Sequence, residues 1–210
     1  MTRLLIIGPP GSGKGTQAEQ ISDRLGVVAV STGDIFRTNV RSGTPLGMEA
    51  KAYLDAGDFV PDGVTNKMIR HRLGESDVDN GFLLDGYPRT VPQVDYLDMV
   101  LADGGQKLNI VLQLTADDDE LVRRLLARGE QNGRSDDTEV VVRHRLRLYR
   151  EQTEDVVAKY AERGILTQVS GIGTLDDVTN RLLEAVSELL ELQGLSSRAT
   201  SRNSRTFADS

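Results

Sequence analysis

Residues 4–16 read LLIIGPPGSGKGT, and this stretch decides how the rest of the chain is organised. Four large aliphatic residues in a row are typical of a parallel strand that is buried on both faces. The glycine-rich turn after them gives way to a helical pattern at Lys14. Gly8, Gly11 and Gly13 can adopt backbone angles closed to other residues, so consecutive N–H groups can point into one hollow at the positive end of the next helix. The stretch therefore predicts a phosphate-binding loop, with the Lys14 ammonium reaching the β- and γ-phosphates.

The loop departs at one position from the pattern G-x-x-x-x-G-K-[ST]. Gly15 stands where a hydroxyl is usual, and the hydroxyl follows one residue later at Thr16. The alternative interpretation is a glycine-rich strand-to-helix turn that binds no ligand. The order of strand, loop and helix that the motif requires favours the phosphate-binding loop.

Composition predicts an intracellular, cytoplasmic, single-domain enzyme. The chain has 210 residues and is 38% hydrophobic, which suffices for one core if a polar piece is set aside. Its net charge of −7 opposes nucleic-acid binding. It has no cysteine, which excludes disulfides and a cysteine-bound zinc, and it has no run of about 18 apolar residues that would span a membrane. The strand that follows Met1 almost directly is too short for the apolar part of a signal peptide.

Alternation of strands and helices predicts an α/β fold with a parallel central sheet and right-handed crossovers. The predicted strands cover residues 4–7, 27–30, 82–86, 109–114 and 165–169. Predicted helices cover residues 14–24, 62–73, 92–102 and 138–163, with others starting near Ile35, after residue 115 and, under a capping box of Thr174 and Asp177, near residue 175.

Three segments stand apart from this alternation. Residues 31–60 are predicted to be a small helical insert, because glycine and proline break two short helices there. Residues 129–137 form a polar loop with two glycines, which is typical of a moving lid. Residues 194–210 are polar, rich in serine and arginine and without apolar periodicity, and are predicted to be a disordered tail.

Asp85 lies at the carboxyl end of the predicted third strand. A carboxylate at the carboxyl end of a buried strand, in a fold whose ligands gather at strand ends, favours a role with a magnesium-bound water or a phosphate-site hydrogen bond. The alternative is an aspartate that only makes a turn. His71 and His144, the two histidines, are interpreted as surface or helix-packing residues.

Three motifs in order resemble those of the P-loop nucleoside monophosphate kinases, and specifically the bacterial adenylate kinase family with a short lid. They are the loop of residues 8–16, including the glycine after the lysine, STGDIFR at 31–37 and GFLLDGYPRT at 81–90. The resemblance covers residues 1 to about 192. It implies a P-loop NTPase-type five-stranded parallel sheet flanked by helices in a domain of residues 1–193, with a monophosphate-binding insert at 31–60 and a short lid at 128–137.

The resemblance also implies an activity, the reversible transfer ATP + AMP to 2 ADP, which maintains the adenine nucleotide balance. A phosphate oxygen would be the nucleophile, so no general base is needed. The implied cofactor is Mg²⁺ with ATP, without structural zinc, and the implied partners are ATP, AMP and ADP, with no nucleic acid or membrane, for a monomer. Two alternatives remain open: a UMP/CMP or other small-acceptor P-loop kinase, and a regulatory module that binds nucleotide without transfer. A structural or interaction role through the tail is a third.

Site residues follow from the same resemblance. The ATP site would comprise Gly11, Ser12, Gly13, Lys14, Gly15, Thr16, Arg124, Arg128 and Gly173. The AMP site would comprise Thr32, Arg37, Asp58, Phe59, Val60, Gly86, Tyr87, Pro88, Arg89, Gln93, Arg134 and Arg145. The catalytic cations would be Lys14, Arg89, Arg128, Arg134 and Arg145. Asp34 and Asp85 would hold Mg²⁺ through its waters, and the base edge of AMP would meet Gln93.

Overall fold

A computed structural model describes residues 1–132, 137–192 and 194 of the chain. Its strands are Thr2–Ile7 (β1), Val28–Ser31 (β2), Gly81–Asp85 (β3), Ile110–Thr115 (β4) and Leu166–Ser170 (β5). They form one sheet in the order β2-β3-β1-β4-β5, and every neighbouring pair is parallel. The predicted five-stranded parallel sheet is therefore confirmed.

Helices cover both faces of this sheet. They are Lys14–Leu25 (α1), Thr32–Arg41 (α2), Pro45–Ala56 (α3), Asp62–Arg72 (α4), Val91–Asp103 (α5), Asp118–Asn132 (α6), Glu139–Glu162 (α7) and Leu175–Leu192 (α8). A short 3₁₀ turn, Ser76–Val78, leads into β3. No helix in the described part of the chain is long and apolar enough to cross a membrane.

The four aliphatic residues of β1 serve both layers of the fold. Leu4 and Ile6 pack with α1 and α8 on one side of the sheet, and Leu5 and Ile7 pack with α4, α5 and α7 on the other. All four side chains are buried. Because β1 lies between β3 and β4, the loop that follows it opens at the carboxyl edge in the middle of the sheet, where α/β folds bind their ligands.

Most boundaries differ from the prediction by one or two residues, and two differ by three or more. Helix α2 begins at Thr32 and not near Ile35, because the Ser31 hydroxyl accepts a hydrogen bond from the backbone N–H of Asp34 and caps the helix one turn earlier. The predicted start of the lid loop at residue 129 is wrong, because helix α6 continues to Asn132. Gly129 inside that helix allows Asp137 to approach, since a Cβ at Gly129 would stand 3.0 Å from the Cβ of Asp137.

Some predictions fall outside the described residues. They are Arg134 and the middle of the lid loop at 133–136, and the tail, of which only Gly194 is described. The division of residues 1–193 into a nucleotide-binding domain, an insert and a lid stays a prediction. Helices α2 and α3 make up most of the predicted insert.

Candidate active site

The glycine-rich loop has the backbone that its sequence predicts. Gly8, Gly11 and Gly13 have φ angles of +153°, +85° and +92°, a range that side-chain-bearing residues rarely adopt. The Lys14 Nζ donates a hydrogen bond to the carbonyl of Pro9, 2.9 Å away, and so lies folded against the loop. Burial lowers the pKa of Lys14 to about 8, against the opposing effect of the Asp85 carboxylate. An anion held in this loop would restore the preference for the ammonium.

Two carboxylates stand beside the loop. A Cβ at Gly15 would lie 3.7 Å from the Asp85 Oδ2, so the first turn of α1 faces this carboxylate. Burial raises the pKa of Asp85, and the nearby Lys14 opposes that shift. Asp34 pairs with Arg37 at 2.6 Å. A pair of carboxylates fits Mg²⁺, which keeps several waters and takes further ligands from substrate phosphates.

A cavity lies between the predicted insert and the loop after β3. Gly86 forms part of its wall, with φ +82°, and a Cβ there would stand 2.6 Å from the Thr32 hydroxyl. That hydroxyl donates to the Gly86 carbonyl at 3.0 Å. The predicted AMP-site residues that line the cavity are Thr32, Arg37, Asp58, Phe59, Val60, Gly86, Arg89, Gln93 and Arg145.

Arg89 is fixed from several directions. Its Nε donates to the Gly86 carbonyl at 2.7 Å, and its guanidinium lies over the Phe59 ring at 5.0 Å. The Thr153 hydroxyl donates to the backbone carbonyl of Arg89 at 3.1 Å. Burial lowers the pKa of Arg89 to about 10, and the charge of Arg145 adds to that shift. The guanidinium therefore stays cationic near neutral pH in a fixed position.

Not every predicted residue reaches the cavity through its side chain. Tyr87 is fully buried, and its hydroxyl donates to Asn66 at 2.7 Å. Pro88 instead lines the space that joins the cavity to the loop. Ser12 is buried at the base of the loop.

On the other side of the loop, an open cleft holds most of the predicted ATP-site residues. The predicted residues that line it are Gly11, Gly13, Lys14, Gly15, Thr16, Arg124 and Arg128, with Asp34, Arg37 and Arg145. Arg124 donates to the Gly171 carbonyl at 3.0 Å, which brings α6 to the turn that contains Gly173. Arg145 lines this cleft and the cavity of the insert, so it stands where the two meet.

Sequence reasoning missed Asp137, whose side chain is fully buried between two predicted catalytic arginines. The Nε and Nη2 of Arg128 donate to its two oxygens at 2.6 and 2.7 Å, and Arg145 donates to it at 2.9 Å. The sequence did contain an indication of this contact, because Asp137 follows Arg128 by nine residues and precedes Arg145 by eight. Asp137 holds the guanidiniums of α6 and α7 side by side.

A second missed contact joins the insert to α7. The Nε2 of His144 lies 2.6 Å from the Oδ1 of Asp58, in a side chain that is 34% exposed. Gly57 beside it packs on α7, since a Cβ there would stand 2.8 Å from the Cγ of Arg145. The segment after α3 therefore reaches across the cavity to α7.

Comparison with known proteins agrees with this geometry. The family model described as adenylate kinase matches residues 6–165. An adenylate kinase of Pseudarthrobacter chlorophenolicus is 73% identical over 186 residues, which are 89% of this chain and 97% of that protein. An adenylate kinase of Renibacterium salmoninarum is 67% identical over 89% of this chain and 96% of its own length. An adenylate kinase of Micrococcus luteus is 58% identical over 92% of this chain and 95% of its own. The chain belongs to the adenylate kinase family.

Proposed function

We propose that the protein transfers the γ-phosphoryl group of ATP reversibly to AMP, giving two ADP, and so maintains the adenine nucleotide balance. The observation that carries the proposal is the position of Arg145, which lines both the loop cleft and the cavity of the insert. A cation shared by two adjoining anion sites suits transfer between two phosphates. ATP would take the loop cleft and AMP the cavity.

The transfer needs no proton acceptor. An oxygen of the AMP phosphate attacks the γ-phosphorus, the bond from that phosphorus to the β,γ-bridging oxygen breaks, and the electron pair stays on the ADP that leaves. The attacking oxygen is already ionised near neutral pH, so a general base would add nothing. Positioning and charge stabilisation are therefore the tasks of the protein.

The cations divide these tasks. Lys14 would hold the β- and γ-phosphates of ATP, while Arg89 would hold the AMP phosphate. Arg128, Arg145 and, by family resemblance, Arg134 would stabilise the charge that spreads over the transferring group. Planar guanidiniums with paired donors suit this distribution better than ammonium groups. Removal of one such contact costs about 2 to 4 kcal/mol of transition-state stabilisation.

Adenylate kinases generally use Mg²⁺ with ATP. We propose that Asp34 and Asp85 hold the waters of that ion beside the loop. The charge of the bound ion would neutralise the negative charge that develops on the phosphates. Asp34 also pairs with Arg37, and the charge of Asp85 opposes the lowering of the Lys14 pKa.

The proposal also covers the binding of the two adenine bases and the closure of two segments over the site. The adenine of ATP would rest near Arg124 and the backbone of Gly173, and the base edge of AMP would meet Gln93. Residues 31–60 and 128–137 would close over the nucleotides and exclude water, which would otherwise take the phosphoryl group. We also propose that the protein works as a monomer in the cytoplasm, where both nucleotides are available.

The decisive experiment measures ADP formation from Mg·ATP with AMP, CMP, UMP, GMP and dTMP in turn. Lys14→Ala removes the loop cation, and Lys107→Ala, an exposed lysine away from the site, is the matched control. Fast turnover with AMP alone, lost only in Lys14→Ala, supports the proposal. A pyrimidine preference would contradict the acceptor assignment, and transfer to none of them would indicate a nucleotide-binding module.

A further inference from the structure

The side-chain amide of Gln93 is held at both of its ends. Gln93 is 2% exposed, its Oε1 accepts a hydrogen bond from the backbone N–H of Arg89 at 2.7 Å, and its Nε2 donates to the Oδ1 of Asp62 at 2.7 Å. A backbone N–H can only donate and a carboxylate can only accept. Just one of the two amide orientations satisfies both neighbours, with the carbonyl toward Arg89 and the NH₂ toward Asp62.

Asp62 is itself held in place. Its Oδ2 accepts from the Thr90 hydroxyl at 2.8 Å, and that hydroxyl caps α5 by accepting from the backbone N–H of Gln93 at 3.3 Å. The three residues are thus linked in a closed ring, in which the backbone N–H of Gln93 completes the circuit. Asp62 also lies in the first turn of α4, where the helix dipole favours a negative charge. Hydrogen bonds to an ionised carboxylate are about twice as strong as neutral ones, so this is the stronger of the two restraints on Gln93.

The fixed amide leaves one acceptor lone pair and one N–H for a ligand. Gln93 lines the cavity that the proposed function assigns to AMP. Along its Watson–Crick edge, adenine presents an N6–H donor beside the N1 acceptor, which matches an adjoining carbonyl and NH₂. A 6-oxopurine presents an O6 acceptor beside an N1–H donor, which would match the same amide only if it were turned by 180°. The orientation of Gln93 therefore decides which of the two edges can pair.

We propose that Asp62 is a specificity-determining positioning residue, which makes the acceptor site select a 6-aminopurine over a 6-oxopurine by fixing the Gln93 amide. The inference rests on the proposed function, since it takes AMP as the acceptor. Asp62 need not touch the nucleotide, and it acts through the single hydrogen bond that it accepts from Gln93.

The test compares AMP with IMP, which has the same size and differs on this edge only by the exchange of donor and acceptor. In Asp62→Asn the new amide can donate as well as accept, so the stronger restraint on the orientation of Gln93 is lost and the Arg89 N–H alone opposes a turn. In Asp62→Ala a water molecule takes the place of the carboxylate, and water can either donate a hydrogen bond to Gln93 or accept one from it. We expect the preference for AMP, measured as the IMP-to-AMP ratio of Kd by calorimetry and as the AMP-to-IMP ratio of kcat/KM, to fall about tenfold in both variants, the factor typical of one hydrogen bond to a charged group. The kcat with AMP should stay close to that of the wild type.

Asp23→Asn, an exposed aspartate on α1, is the matched control and should keep the wild-type ratio. A purely structural role for Asp62 would lower the amount of active protein and leave the ratio unchanged. An unchanged ratio in both Asp62 variants, or a wild type that does not prefer AMP, would overturn the inference. If AMP binds with the expected preference but receives no phosphoryl group, the proposed function fails while the Kd ratios still decide the role of Asp62.

Discussion

Replacement of Gly57 by alanine should disturb the site through Arg145. Gly57 ends α3 with φ +79°, and an added Cβ would stand 2.8 Å from the Cγ of Arg145 and 2.7 Å from the Cγ1 of Val141. Ordinary carbon contacts are about 3.5 to 4.0 Å, so the two segments would have to separate by about 1 Å. Both contacted atoms lie near the backbone of α7, so a rotation at the end of a side chain cannot relieve the overlap.

A displacement of about 1 Å at a reacting centre can cost about a hundredfold in rate, and we expect kcat/KM for AMP to fall by about that factor in Gly57→Ala. Alanine in the left-handed conformation also costs about 1 to 2 kcal/mol of folding stability. Gly26→Ala separates the two effects. Gly26 ends α1 with φ +64°, and an added Cβ there meets nothing within 4 Å.

The assay is initial-rate ADP formation over a range of AMP, with urea unfolding of both variants. Both should lose comparable stability, and Gly57→Ala alone should lose activity. Equal activity of the two variants, with both folded, would refute the view that the segment after α3 packs on Arg145 in the active protein.

Three further predictions concern the charges of the site. Burial lowers the pKa of Lys14 from 10.5 to about 8, so its charge destabilises the fold below pH 8 and this penalty fades as pH rises to 10.5. The free energy of unfolding of the wild type, relative to Lys14→Met, should therefore rise from pH 8 to 10.5 in urea titrations. Asp137→Asn should lower kcat about 10- to 100-fold in the ADP assay, because Arg128 and Arg145 lose the carboxylate that orients them. Removal of Mg²⁺ with EDTA should abolish ADP formation, and added Mg²⁺ should restore it.

The sheet and the loop could be predicted because their signals are local. A run of four aliphatic residues specifies a strand buried on both faces, and β1 does lie at the centre of the sheet. The three loop glycines adopt the positive φ angles that motivated the prediction. The insert helices likewise end at Gly57 and at the Ser42 to Pro45 break, where the sequence supplies residues that favour turns.

The supporting contacts could not be predicted, because they join residues that are distant in the sequence. Gln93 and Asp62 are 31 positions apart, and Asp58 and His144 are 86 positions apart. From the sequence alone, each of these aspartates is interpreted as a solvated residue or a turn residue, because it stands in a polar stretch. Only the packing of α4 against α5, and of the insert against α7, decides which of these carboxylates has a partner.

These partners explain how a chain of net charge −7 can hold two polyanions. Asp137 accepts hydrogen bonds from the Nε–H and from one Nη2–H of Arg128. Up to three of the five guanidinium N–H donors are left for a phosphate. The carboxylate thereby fixes the plane of the guanidinium without occupying its whole donor edge. A cation oriented in advance loses less side-chain entropy when the phosphate arrives, which offsets the repulsion between that phosphate and the carboxylate behind the guanidinium. The acidic residues around the site thus orient its cations, and a loss of such a carboxylate should impair transfer more than it improves nucleotide binding.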